Sequence, residues 1–229
     1  NLNGTLNLLN ALTANNQSCV FLQVGSSDCY GEAFTSGQAL DENSPFMPLN
    51  PYAASKAAAD LAAFSFRKQG QLKIIRARPF NHSGAGQSDD FVISSFARQI
   101  AQIEAGLQSN VIQVGNLDAQ RCFSHVSDVV EAYIQLLKHA DSIPSGTAFN
   151  ITADAPVAIS EILDRLLKLS QHDIDIATDP SRQRPSDIPV ARGDTSKLKQ
   201  LTHWSSSVSL DTLLKDVLND WRKKVQEAE

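Results

Sequence analysis

The sequence predicts an α/β fold built on parallel strands. Three observations carry that reading. Short β-branched runs, CVFLQVG (19–25) and LKIIRARPF (72–80), are bounded by polar, Gly or Pro residues and are too short for helices. Longer segments with helical apolar spacing alternate with them. The polar clusters GSSDCYG and PFNHSG then leave the carboxyl ends of two strands, the edge where open α/β sheets bind ligands.

Taken in order, NLNGTLNLLNAL (1–12) places Leu2, Leu6, Leu9 and Leu12 on one helical stripe. The chain thus starts inside a helix, without an initiator Met, and reads as a fragment with a segment expected upstream. CVFLQVG is a buried strand and 32–50 a Pro/Ser/Asn-rich loop. PYAASKAAADLAAFSFRK (51–68) is a helix with Pro51 in its first turn. LKIIRARPF is a strand ended by Pro79, and FVISSFARQIAQIEAG (91–106) a helix closed by Gly106. VIQVG is a strand, VSDVVEAYIQLLKHA a helix, GTAFNIT a strand, ISEILDRLLKLS a helix and DIDIAT a strand. SLDTLLKDVLNDWRKKV closes the chain as an amphipathic helix capped by Ser209.

At 229 residues with 42% hydrophobic and 20% charged content, the chain has enough apolar residues for a substantial core. A net charge of −5 argues against nucleic acid as a partner, since phosphate backbones select basic faces. No run reaches the ~18 apolar residues of a membrane span. Cys19, Cys29 and Cys122 lack metal or CxxC spacing and point to a reducing cytoplasm. The five histidines are scattered, so no metal is expected. Cys29 reads as a small buried thiol, and Trp204 and Trp221 as packing anchors.

The chemistry lies in Ser26, Tyr52 and Lys56. A tyrosine, ordinarily with a pKa of ~10, serves as acid or base on a sugar hydroxyl once its pKa is drawn toward neutrality. A lysine four residues on shares its helix face, and its ammonium stabilises the phenolate. A serine at a neighbouring strand end can hold the same substrate oxygen. A YxxxK spacing alone is weak; joined to a Ser-rich strand end in an α/β pattern, it is specific.

GSSDCYG, NPYAASK and RARPFNHSGAGQ, together with GNLDAQRCFSHVSDVVEAY and RQRPSDIPVARGDTSKLKQLTHW, resemble the extended short-chain dehydrogenase/reductase family, its nucleotide-sugar epimerase/dehydratase group. The resemblance spans nearly the whole chain. It runs nearest to reductases of GDP-4-keto-6-deoxy-mannose, then to GDP-mannose 4,6-dehydratases; UDP-sugar epimerases share less of the C-terminal half. It implies a partial Rossmann-like parallel sheet, its N-terminal part missing, with a smaller C-terminal α/β substrate-binding region. Residues 1–80 would form the C-terminal half of the dinucleotide-binding domain. Residues 81–229 would form the nucleotide-sugar region, some segments returning to the sheet.

By the same resemblance, Ser26 matches the catalytic Ser/Thr, Tyr52 the acid/base and Lys56 its partner. Lys56 also binds the nicotinamide ribose of NAD(P)H. Asn1 matches the asparagine that supports the lysine through water, and the backbone at Pro79 lies near the nicotinamide. Asp28 matches the acidic position two beyond the serine, a Glu in dehydratases that handles the C5 proton. Asn81 would touch the sugar or diphosphate, its alternative being a turn asparagine after Pro79. Arg121 would grip the pyrophosphate, or else be a solvated arginine. Arg184 and Asp187 match positions that meet the nucleotide phosphate and ribose, against the alternative of a plain Pro-flanked loop. Asn116 would lie by the base or ribose. Arg98 and Gln99 border the nucleotide in relatives but read here as solvated.

The implied activity is reduction of the C4 ketone of GDP-4-keto-6-deoxy-D-mannose to GDP-D-rhamnose, with GDP-mannose 4,6-dehydration as the alternative. Asp in place of Glu, and a loop NHSGAGQSDDF without an arginine-rich segment, favour the reductase. The family's GxxGxxG phosphate loop does not occur in this sequence, so it and the reader of the adenosine ribose are expected upstream. Alone, the fragment is expected to bind NAD(P) poorly, and a truncated inactive copy is the non-enzyme alternative. The resemblance also implies a homodimer in which helices 1–12 and 51–68 pair as a four-helix bundle.

Overall fold

A computed structural model describes residues 1–182 and 188–227. Helix α1 (Leu2–Ala14) leads into strand β1 (Cys19–Val24), a 3-10 segment Ser27–Ser36, helix α2 (Pro51–Ser65) and strand β2 (Leu72–Pro79). There follow β3 (His82–Ser83), α3 (Val92–Glu104), β4 (Val111–Val114), β5 (Gln120–Arg121), β6 (Ser124–His125) and α4 (Val126–Lys138). The last third contains β7 (Thr147–Ile151), β8 (Val157–Ala158), α5 (Ile159–Leu167), β9 (Asp175–Thr178), β10 (Val190–Ala191), α6 (Ser196–Thr202) and α7 (Leu210–Glu227).

The main sheet has the order β1-β2-β7, all parallel, with Cys19 opposite Leu72 and Ile75 opposite Thr147. β2 is central, and its alternating residues serve two cores. Ile74 joins Leu9 of α1 and Ala63 of α2 on one face; Ile75 joins Leu136 of α4, Phe149 of β7 and Trp204 on the other. A third core packs α3, α5 and α7 together through Ile100, Leu163, Leu166, Leu214 and Leu218, with Ile112 of β4 beneath them. Here α5 and α7 place leucines at helical spacing on one stripe. Ser209 caps α7, its Oγ accepting from the Thr212 N–H at 3.1 Å.

The long predicted elements thus form, and α4 and β7, beyond residue 80, pack with the first sheet. Two features differ. The expected loop 32–50 begins within helical turns that reach Ser36 and break at Gly31, whose φ of 49° suits glycine. Strands β3, β5, β6, β8 and β10 are two residues each, and α6 is seven, too short for an apolar period to reveal them.

Between α2 and β2 lies a buried charged cluster. Arg76 and Arg78 are two apart on β2 and so point to one face, where Asp60 of α2 meets both. The Arg78 Nε and Nη2 donate to the two Asp60 carboxylate oxygens at 3.0 Å, and Arg76 Nη1 donates to Oδ1. Arg78 Nη1 also donates to the Tyr30 hydroxyl at 3.0 Å, which itself donates to Asn150 Oδ1 at 2.7 Å. Removing one member strands opposite charges in the interior. Asp60→Ala is therefore expected to lower unfolding free energy by about 3–5 kcal/mol, read by denaturant titration. Burial pushes the Tyr30 hydroxyl from 10.0 up to about 12. A raised folded pKa contributes stability that is complete below the unfolded value and is lost as pH rises through the folded one. Stability is thus expected to fall from about pH 10 toward 12, and Tyr30→Phe should flatten part of that slope.

Candidate active site

Ser26 follows β1, where its extended backbone (φ −161°) lets it cap the next turn, Oγ accepting from the Asp28 N–H at 3.2 Å. Tyr52 stands in the first turn of α2, started by Pro51 and by Asn50, whose Oδ1 accepts from the Ala53 N–H at 2.8 Å. The Ser26 side chain lies near enough to the Tyr52 hydroxyl to pull its pKa down, while Tyr52 stays 51% exposed. One turn on, the Lys56 ammonium donates to the Val24 carbonyl at 3.1 Å and lies 6.0 Å from the Tyr52 ring centre. The spacing of four has done what helix geometry requires. Asn1 is brought to α2 as well, its amide donating to the Ser55 hydroxyl at 2.8 Å, and Ser55 in turn donates to the Tyr52 carbonyl.

The electrostatics differ from the sequence expectation on one point. The Tyr52 pKa is raised, not drawn down: partial burial is the largest cause, the Asp28 carboxylate adds to it, and the Ser26 side chain opposes it. Lys56 spends its ammonium on the strand-end carbonyl. Cys29, between these groups, is buried and pushed to about 11, which makes it inert as a nucleophile at neutral pH.

A cleft of ≈ 610 Å³ opens beside this set. That is within the ~300–1,000 Å³ of small-molecule sites. Asn81, Asn116 and Arg121 all line it; Ser26, Tyr52 and Lys56 do not. Asn81 is the link, because it leaves the carboxyl end of β2, the strand beside β1 that delivers Ser26. Its backbone carbonyl accepts from Ser124 N–H at 3.0 Å, which closes β3 onto β6. Arg121 on β5 crosses to β10's approach, Nη1 donating to the Ile188 carbonyl at 2.7 Å. Pro79 is buried at the end of β2, paired with Ile151 of β7. Arg184 and Asp187 lie outside the described residues.

Sequence reasoning missed part of the cleft wall. Arg182 lines it, donating to the Ser95 hydroxyl at 3.1 Å, and Gly115 lets that turn approach, since a Cβ there would stand 2.6 Å from the Arg182 carbonyl. The repeated arginines of SRQR were the available signal. Asp89, Asp90 and Phe91 form the opposite lip. Arg98 is not merely solvated: it lines the cleft, its Nε 3.1 Å from Asp89. Gln99 is not solvated at all; it is buried, and its amide exchanges two hydrogen bonds with the Gln113 backbone of β4. Among the described residues no group of His, Cys, Asp or Glu is arranged to hold a metal ion.

The residues present fit the catalytic end of a nicotinamide site: an accessible phenol, a serine hydroxyl beside it and an ammonium fixed at the same strand end. Comparison with known proteins agrees. The chain is 38% identical over 227 residues to a GDP-6-deoxy-D-mannose reductase of Pseudomonas aeruginosa, covering 99% of this chain and 74% of that protein. It is 27% identical to the GDP-mannose 4,6 dehydratase of Homo sapiens, over 94% of this chain and 62% of that one. A solved structure of RMD from Pseudomonas aeruginosa complexed with NADPH superposes with a TM-score of 0.90 at 36% identity, over 97% of this chain and 73% of its own. A UDP-glucuronic acid 4-epimerase of Bacillus cereus shares the fold at 22% identity, with a TM-score of 0.84. The chain thus spans about three quarters of the reductase and about three fifths of the dehydratase. With the GDP-mannose 4,6 dehydratase family model matching residues 1–217, the chain belongs to that family of the epimerase/dehydratase short-chain dehydrogenases/reductases.

Proposed function

We propose that this chain carries the catalytic and sugar-nucleotide residues of an NAD(P)H-dependent reductase acting on the C4 ketone of GDP-4-keto-6-deoxy-D-mannose, with GDP-D-rhamnose as product. The observation that carries it is Ser26 at the end of β1 facing the Tyr52 hydroxyl, with Lys56 one turn along α2 held to the same strand end. The cofactor, when bound, supplies a hydride to C4. Ser26 then holds the ketone oxygen, and Tyr52 delivers its phenolic proton to that oxygen as charge develops there. Lys56 would bind the nicotinamide ribose and stabilise the phenolate left behind, which solvent reprotonates. Asn1 supports α2 at the lysine, and Pro79 closes the strand beside the nicotinamide.

The direction of the Tyr52 shift suits this role. Burial favours the neutral phenol, so at neutral pH Tyr52 is a proton donor waiting for an alkoxide. The diphosphate belongs in the cleft, gripped by Arg121 in the manner guanidinium groups grip phosphate, with Asn81 and Asn116 on the sugar and nucleoside. Arg184 and Asp187, outside the described residues, are proposed to meet the nucleotide phosphate and ribose.

One observation favours a second reading. Asp28 is exposed and close enough to raise the Tyr52 pKa, so a carboxylate stands ready for C5 proton work, as GDP-mannose 4,6-dehydration requires. Assembly as a homodimer is also proposed: Leu8 and Leu61 remain 59% and 56% exposed on the packed pair α1 and α2. Phe64 of α2 lies against Arg67 and Arg76 and adds nothing to that face. Three unpaired cysteines support a cytoplasmic location, and no helix among the described residues is long and apolar enough to cross a membrane.

In a polypeptide spanning the full length of its relatives, GDP-4-keto-6-deoxy-mannose should drive oxidation of NADPH, followed by its absorbance. Tyr52→Phe should cut kcat by about 10²–10⁴-fold while GDP-sugar affinity stays within about twofold, because a proton donor is lost and little else. Appearance of the 4-keto sugar from GDP-mannose without added reductant would make the enzyme a dehydratase. Reduction untouched by Tyr52→Phe would remove the tyrosine from the mechanism.

A further inference from the structure

We propose a second anion site, distinct from the cleft, that recognises a phosphoryl group between the end of α2 and the start of β7. A separate hollow of ≈ 270 Å³ lies there, lined by Glu42, Arg67, Arg76, Ser145, Thr147 and Lys197 among others. It shares no lining residue with the larger cleft.

Three cations, Arg67, Arg76 and Lys197, line the hollow with one carboxylate, Glu42, among them. Arg67 donates Nη1 to the Phe64 carbonyl at 3.1 Å and lies over the Phe64 ring at 3.9 Å; among the described residues no carboxylate faces it. Arg76 covers the same ring at 4.5 Å, so two guanidinium groups share one aromatic. Arg76 shares Asp60 with Arg78, whereas Arg67 has only the Phe64 carbonyl and ring as partners among the described residues, a charge that an anion would balance. Lys197 reaches in from α6, donating to the Ala148 carbonyl at 3.2 Å and lying 3.8 Å from Glu42 Oε2, and its side chain stays 43% exposed. Glu42 is the single acid of the lining, and its Oε1 already accepts from the Asn150 N–H at 2.8 Å. Asp60 beneath is taken by Arg76 and Arg78 together, so that pairing still leaves positive charge. In a chain of net charge −5, this is a local inversion of sign.

Arg67 is also placed, not loose. Gly146, at φ 91°, sits under its stem: a Cβ there would stand 2.7 Å from Arg67 Cδ. Glycine allows the guanidinium to lie over the opening of the hollow. The Ser145 hydroxyl, whose oxygen accepts from the Ile74 N–H, keeps its hydrogen for a ligand. Guanidinium forks, an ammonium and a hydroxyl are the donor set that phosphate takes. The volume is below the ~300–1,000 Å³ of sites enclosing whole drug-sized ligands, so it suits inorganic diphosphate or the phosphoryl end of a nucleotide.

Isothermal titration of the chain with inorganic pyrophosphate at low ionic strength tests this, with GMP as a second ligand. Arg67→Gln and Lys197→Gln should each weaken pyrophosphate binding about tenfold or more. Gly146→Ala should weaken it as well, by displacing Arg67, while Arg121→Gln in the cleft should leave this event intact. GMP binding with the same dependence on Arg67 would name a nucleotide phosphoryl as the source; its absence would name free diphosphate. Both sources keep the site. Absence of pyrophosphate binding, or binding lost with Arg121→Gln and indifferent to Arg67→Gln, would overturn it. Because neither outcome depends on turnover, the site stands or falls apart from the proposed reductase.

Discussion

Asp60 holds two arginines out of water, and much of the molecule is arranged around that pairing. Arg76 and Arg78 project from the central strand toward α2, where a cation without a partner would cost several kcal/mol. One carboxylate takes both guanidinium groups. The remaining donors are spread over the Gly146 and Glu42 carbonyls and the Tyr30 hydroxyl. Such a cluster is weak evidence for stability, since well-packed apolar residues often serve as well. Its consequence is register. Asp60 stands one turn beyond Lys56 and two beyond Tyr52, so the carboxylate that locks onto β2 also sets where those two side chains emerge.

The same cluster reaches the other catalytic element. Gly25, just before Ser26, approaches so closely that a Cβ would lie 3.1 Å from the Ala77 carbonyl and 3.6 Å from Asp60 Oδ2. Tyr30, four residues past Ser26, is fully buried against Arg78 and Phe46. The loop that bears Ser26 and Asp28 is therefore seated on the charges that position α2. Two elements far apart in sequence meet through one set of hydrogen bonds, and the Ser26–Tyr52 contact is their shared result.

Where the fold was legible, apolar periodicity and burial coincided. CVFLQV and LKIIRAR were legible as short β-branched runs, too short for helices, bounded by polar, Gly or Pro residues. The amphipathic α3, α4, α5 and α7 each bury one stripe. The YxxxK spacing was legible for a related reason: helix geometry alone places both residues together. Gln99 shows where that logic stops. Its polarity suggested solvent, yet its amide satisfies the edge of β4 as a strand would, with bonds of 2.8 and 3.2 Å to Gln113. A buried polar group with both halves satisfied costs little, and only three-dimensional placement reveals the partner. The cleft is hidden likewise. Arg98, Arg121 and Arg182 come from a helix, a two-residue strand and a turn, with no common period to tie them together.

The division of labour follows from this geometry. The phenol and ammonium both sit on α2, the ammonium donating to a β1 carbonyl, and α2 is fixed by buried charge. The cleft is built from short strands and loop residues, tied by bonds such as Arg121 to Ile188 and Arg182 to Ser95. Proton transfer needs tight placement, because its distance tolerance is a few tenths of an ångström around hydrogen-bond length. Gripping a diphosphate needs charge and forked donors, which tolerate a softer frame. Asn81 is anchored to both halves, leaving β2 and closing β3 onto β6 through Ser124. A sugar reaching from the arginines to Tyr52 must pass it. In the proposed reaction Asn81 would thus stand between the softer nucleotide cleft and the rigid proton-transfer set.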